Sequence, residues 1–299
     1  MKSFSFKKRK AQQLHEQAQD LSDEGRDDEA IALYHKAIKL DPEKSESYYN
    51  IGLIHKYRNN WKESFKYNAS ANELNPEDEA ARWNLGIAAT ALRDWATARR
   101  VWKENGMTLK DGNGPIEDNF GLTPVRLNSD GNGEVVWARR IDPVRAKIVN
   151  VPLPESGYLP GDIVLHDGAA VGYRKYGEVE KPVFNVLELF ERSNYKTFKV
   201  TIQANEQREI DELEEFLEEH GMISEDWTTN YRVICRACSE GRPHQEHDAE
   251  NESVWVSQHE IGVGAPSEEM LRDAIHERVN TNRTMIKGIE CVLERQADT

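Results

Sequence analysis

No stretch of the sequence approaches the roughly 18 consecutive apolar residues of a membrane-spanning helix, and the opening MKSFSFKKRK lacks the apolar run of a secretory leader. Both absences lead to the expectation of a cytoplasmic protein without a membrane partner. Cysteine is scarce, with Cys235, Cys238 and Cys291 in 299 residues. A chain this long cannot be stapled by so few thiols, whereas a C-x-x-C pair in a reducing compartment points to metal or redox chemistry. Positive charge is also in deficit: 39 Lys and Arg face 53 Asp and Glu, for a net charge of −14. With a mean hydropathy of −0.77, the chain reads as soluble and charge-rich, and it would repel a polyanion, so nucleic acid is not an expected partner. The deficit is local. Residues 1–106 hold 18 basic and 17 acidic side chains, and residues 107–299 hold 21 and 36.

What the first third does contain is a repeat. After a basic segment at 1–10, a shift of 34 residues superimposes 11–44 on 45–78 and on a third unit, 79–106. Asp41-Pro42 and Asn75-Pro76 fall at the same place, as do the small residues Ala30, Ser64 and Ala98, the aromatics Tyr34 and Trp102, and the glycines Gly52 and Gly86. This pattern resembles the tetratricopeptide repeat family, in which helical hairpins of about 34 residues stack because none can bury its apolar face alone. Unit one departs from it, with Gln17 and Ala18 where the others read aliphatic-Gly. The resemblance implies a concave groove for a peptide or protein segment, with Gln19, Tyr49, Asn50 and Asn84 as groove residues. Members that capture a terminal carboxylate do so with Lys, Asn and Arg. The matching positions here are His15, Gln19, Asn50, Ala80 and Asn84, so the cations are missing and that mode is disfavoured. No polar capping helix is visible after Trp102.

Residues 107–121 are dense in turn formers and read as a linker. In the β-rich segment 122–193, runs at 134–139, 146–151, 162–166 and 182–190 predict strands of a small antiparallel sheet or barrel. Asp142, Glu155, Ser156, Asp162, His166 and Asp167 lie among them. A turn role explains the aspartates beside glycine, and no G-x-S-x-G frame surrounds Ser156.

Residues 194–299 predict a ferredoxin-like β-α-β-β-α-β domain, giving a multidomain α plus α+β chain. Its strands are expected at 195–204, 231–235, 254–263 and 285–293, and its helices at 206–220 and 267–280. A Cys/His insertion, 235–250, interrupts the central hairpin: Cys235, Cys238, His244 and His247 are the ligand set of a closed, structural Zn²⁺ site, with Asp248, Glu246 and Glu240 at hand to orient the imidazoles. If one ligand position were left to water, the cluster would instead be a metal-dependent hydrolase centre, with His259 as acid or base and the repeats recruiting substrate. Cys291 is expected to be a buried core thiol. Residues 204–252 hold 15 acidic and 4 basic side chains, a surface suited to a basic protein partner. Taken together, these features describe a protein-interaction adaptor with a structural zinc site, and no catalysis is required.

Overall fold

A computed structural model of the chain describes residues 2–131, 133–228, 255–279 and 285–295. It divides into two compact units, Met1–Asp118 and Asn119–Thr299.

The first unit is three helical hairpins: α1 (Lys2–Asp23) with α2 (Asp27–Leu40), α3 (Ser45–Tyr57) with α4 (Trp61–Leu74), and α5 (Glu79–Ala91) with α6 (Trp95–Glu104). The basic segment is a helical extension of α1. Each hairpin turns in the same way. Gly25, Asn59 and Arg93, spaced by 34 residues, adopt left-handed φ of 75°, 53° and 59°. The amides that follow them, of Arg26, Asn60 and Asp94, return to the carbonyls of Leu21, His55 and Ala89. That bond from the residue after a left-handed position satisfies carbonyls the helix end leaves unpaired. Asp78 and Asp94 then cap α5 and α6, accepting from Ala80 and Ala81 and from Thr97.

Within a hairpin, helices cross where side chains are smallest. A Cβ on Gly52 would lie 2.5 Å from the Asn68 amide nitrogen, and one on Gly86 would lie 2.5 Å from the Trp102 ring. Ala30, Ser64 and Ala98 are fully buried at the 34-residue interval. Beyond α6, the turn-rich stretch belongs to this first unit. Arg99 of α6 donates to the carbonyls of Lys110, Gly114 and Pro115, and Leu109 and Ile116 are buried. An extended segment tied to α6 thus follows the third hairpin where no capping helix was visible.

The second unit holds two sheets. Strands β1 (Leu122–Leu127), β2 (Glu134–Arg140), β3 (Arg145–Ile148), β4 (Ile163–Tyr176) and β5 (Val179–Glu191) form a closed barrel. Successive strands are antiparallel, and β1 closes on β5 in parallel, as an odd-numbered meander requires. Val125, Leu127, Val136, Ala138, Ala146, Ile148, Val164 and Val186 fill its interior. Strand β1 was not expected, because Pro124 sits in its run. Its pairing with β5 begins only at Val125, so the missing proline amide is not needed.

The second sheet takes the order β7-β8-β6-β9 from β6 (Lys196–Gln203), α7 (Gln207–Glu219), β7 (Ile223–Asp226), β8 (Gln258–Ala265), α8 (Glu268–Val279) and β9 (Met285–Leu293). Its described neighbours are all antiparallel. Phe198, Val200, Ile202, Ile261 and Val263 pack against Ile210, Leu213 and Leu217 of α7 and Leu271 and Ile275 of α8. A strand at 223–226, just after the left-handed Gly221, pairs with β8, and the strand expected at 231–235 lies outside the described residues. Cys291 corrects its expectation: it is exposed, because β9 is the outermost strand of the described sheet. Among the described residues no helix is long and apolar enough to cross a membrane.

Candidate functional site

The first helices of the three hairpins lie side by side and are linked by side chains. His15 of α1 meets the Ser47 hydroxyl of α3 at 2.9 Å, and Lys56 of α3 donates to Asn84 of α5 at 3.2 Å. These contacts follow from helical spacing, since residues three or four apart return to one face. On this face Gln19 is exposed, Tyr49, Asn50 and Leu53 are half-buried, and Asn84 is buried. Asn50 also shares a hydrogen bond with the Tyr34 hydroxyl, whose own ionisation burial pushes up to about 12. Gln19, Tyr49 and Asn50 therefore meet solvent, while Asn84 serves chiefly to hold Lys56.

The charge of the face bears on what it can take. His15 is 5% exposed, and burial, with Lys44 nearby, lowers its pKa, so its imidazole is held neutral. At the position where a carboxylate-capturing member needs a lysine, this chain has an uncharged ring already engaged with Ser47. Ala80 has no donor in its side chain, and Asn84, which accepts from Lys56 through its Oδ1, carries no charge. A terminal carboxylate would therefore find no cation at the matched positions to offset its lost hydration.

Sequence reasoning missed an aromatic cluster behind this face. Tyr67 of α4 stacks on His55 at 6.0 Å and touches His35 and Tyr48 at 5.8 and 6.5 Å. Tyr48, His55 and Tyr67 are each polar-tipped, so hydropathy alone does not mark them as packing partners.

The polar residues of the barrel are structural. Asp142 and Arg145 form a fully buried ion pair, and Asp142 also accepts from the Val144 amide at 2.8 Å. Asp162 accepts from the amides of Leu159 and Ser193 and from both terminal nitrogens of Arg295. Asp167 accepts from the Gly168 amide, as an aspartate at a turn does. His166 is wholly buried against Phe184, with its Nδ1 at the Asp167 carbonyl, and desolvation, with Arg140 nearby, lowers its pKa to about 3. Glu155 is exposed, and the Ser156 hydroxyl oxygen accepts from the Tyr158 amide. No serine, histidine and aspartate of this set converge.

Cys235, Cys238, His244, His247, Asp248, Glu246 and Glu240 lie outside the described residues. Among the described residues no cluster of His, Cys, Asp and Glu could hold a metal ion. His259, assigned an acid or base role in the hydrolytic alternative, is 2% exposed and engaged at both ring nitrogens, by Asp226 and by the Val256 carbonyl.

Comparisons with known proteins bear on the repeats. Residues 19–56 match the family model described as TPR repeat. Together with the 34-residue recurrence of turns and crossings, this makes the N-terminal region a tetratricopeptide repeat module. No curated protein matches the chain. Among solved structures, the second TPR of Spaghetti (RPAP3) bound to HSP90 peptide SRMEEVD is 19% identical, over 35% of this chain and 95% of that one, with a TM-score of 0.33. The first TPR of the same protein, also with SRMEEVD, is 24% identical over 32% of this chain and 77% of that one, with a TM-score of 0.31.

Proposed function

We propose that this chain, whose N-terminal region is a tetratricopeptide repeat module, is an interaction protein that holds an extended peptide or protein segment across α1 and α3. The observation that carries this reading is the row of accessible amide and aromatic side chains, Gln19, Tyr49 and Asn50, on the face of the first helices. Amides bond the backbone of an extended segment, and a half-buried tyrosine offers apolar area at low entropic cost. The absence of cations at the matched positions argues for an internal segment over an acidic C-terminus.

A peptide array probed with the intact protein identifies a binder, whose affinity is then measured by fluorescence anisotropy. Tyr49→Ala and Gln19→Ala should each weaken it by about tenfold, the loss expected of a central contact. Lys66→Ala, on the exposed side of α4, should leave it unchanged. Equal losses at Lys66 and Tyr49 would remove the face from consideration, and tight binding of SRMEEVD would contradict the argument from charge.

The strand order β7-β8-β6-β9, with α7 and α8 in the crossovers, supports a ferredoxin-like domain. Cys235, Cys238, His244 and His247 are proposed to hold a structural Zn²⁺, on the chemistry of two thiolates and two imidazoles at that spacing. Metal analysis of protein purified without chelators tests it: about one zinc per chain, lost in Cys235→Ser with Cys238→Ser, is the expected result. The acidic surface around α7 is proposed to suit a basic protein partner, and composition supports a cytoplasmic setting.

A further inference from the structure

The chain leaves the second sheet after β7 and re-enters it at β8, and the residues at those two points are bonded to each other. His259 and Asp226 lie on the helix-covered face of neighbouring strands, since Asp226 pairs with Ile261, two residues beyond His259. The His259 Nδ1 meets Asp226 Oδ2 at 2.9 Å, and its Nε2 meets the Val256 carbonyl at 2.7 Å. Asp226 Oδ1 accepts from the Thr228 amide at 2.9 Å, and the Thr228 hydroxyl accepts from the Glu260 amide at 2.8 Å. Trp227, between them, lies over Gly262 and donates to the Val151 carbonyl.

With Asp226 ionised, both partners of the ring are oxygens that only accept. A neutral imidazole has one N–H, so one of the two short contacts would then set a nitrogen lone pair against an oxygen lone pair. Only the doubly protonated ring satisfies both. Its partner Asp226 in turn lies near Glu214 of α7, which also has Asp211 and Glu225 close by. The Asp226 amide bonds the Glu214 carboxyl, and burial, with Asp226, Glu225 and Asp211 nearby, pushes that group up to about 7. The ring of Trp255 lies tilted against the imidazole, with centroids 4.9 Å apart.

We propose that the His259–Asp226 pair is a proton-dependent clasp joining the two chain ends between which the Cys/His-bearing stretch runs. With two protons on the ring, the segments at 226–228 and 256–260 are held together. Loss of one proton leaves the ring able to bond Asp226 or Val256 but not both, and the pairing weakens. The clasp operates whether or not the thiols and imidazoles beyond it hold a metal.

The test uses the intact protein with ¹⁵N-labelled histidine. Long-range ¹H–¹⁵N spectra report the protonation of His259, and hydrogen exchange, corrected for intrinsic rates, reports the amides of Thr228 and Glu260 across about pH 6 to 8.5, where histidine changes charge. The expected result is a doubly protonated ring at the acid end and protection of both amides falling about tenfold toward the alkaline end, the size of one lost hydrogen bond to a charged group. In His259→Gln, whose amide makes one donor contact without titrating, protection should be lower and independent of pH. A neutral ring at the acid end, constant protection in the native protein, or the same pH response in His259→Gln would overturn the proposal. The native protein's titration alone decides it should the variant fail to fold.

Discussion

Replacing Gly86 by alanine sets two well-known effects against each other in the third hairpin. Alanine in a helix interior is favoured over glycine by about 1 kcal/mol, so propensity alone predicts a more stable protein. The added methyl, however, would lie 2.5 Å from Cη2 of Trp102 and 2.7 Å from Cζ2 and Cζ3. Carbon atoms in cores sit about 3.5–4 Å apart, so the indole must withdraw by about 1 Å. It has little room: Trp102 is fully buried, its ring edge meets Trp83 at 5.1 Å, and its Nε1 donates to Thr90 at 3.3 Å. Overpacking costs typically about 1–3 kcal/mol, and three ring atoms within 2.7 Å put this site in the upper part, about 2–3 kcal/mol, leaving a net loss of about 1–2 kcal/mol once propensity is credited. At about 4 °C per kcal/mol for a unit of this size, the helical transition followed by circular dichroism at 222 nm should move down by several degrees. Trp102→Phe withdraws the clashing ring atoms, so Gly86→Ala should cost less in its presence, with a coupling of about 1 kcal/mol. A Gly86→Ala protein at least as stable as the native one, or strict additivity in the double variant, would refute the close crossing of α5 and α6.

Other predictions concern turns and charges. Arg93 holds a left-handed φ of 59° at a position where the first hairpin uses Gly25. Arg93→Gly should stabilise the module by about 1 kcal/mol, read as a higher midpoint in urea, and a destabilised variant would contradict the strain. In the barrel, burial pushes Glu134 up to about 7, with Glu225 and Glu155 nearby and the Leu153 amide as its partner. Between its unfolded and folded values the folded state alone holds the proton, so stability falls as pH rises through that window and stays lower above it. Glu134→Gln should raise stability at about pH 8, by at most about 3 kcal/mol, and reduce the slope from pH 5 to 7, leaving the part that comes from Glu214. An unchanged pH profile would count against it. Asp142→Ala strips a buried arginine of its carboxylate and should cost about 3–5 kcal/mol in thermal unfolding, with a loss under 1 kcal/mol as the contrary result.

The repeats were legible because their physics is periodic. Each 34-residue unit must turn and cross at the same places, so small residues and turn residues recur even where the rest differs. The turn at Arg93 was not legible, since nothing in an arginine announces a left-handed backbone. In the barrel, Pro124 hid β1, and β4 and β5 run further than their apolar cores because a long hairpin carries polar and small residues through several register shifts. In the second sheet, β7 has four residues with Ile223 as its apolar member, too little for period-two patterning to reveal it. Of the groove residues, Gln19, Tyr49 and Asn50 stand at the accessible face, whereas the commitment of Asn84 to Lys56 depends on a contact between helices that no spacing within one helix reveals.

The central claim is that the first-helix face receives a peptide segment, and photo-crosslinking from that face tests it most directly. A photoreactive amino acid replacing Leu53, half-buried beside Tyr49 and Asn50, is compared with one at Lys66 on the exposed side of α4, each in the intact protein with a peptide selected on the array. The account predicts adducts at position 53, diminished by unlabelled peptide and by Tyr49→Ala, with none at position 66. Equal labelling at both positions, or none at 53 while the peptide is bound, would contradict it.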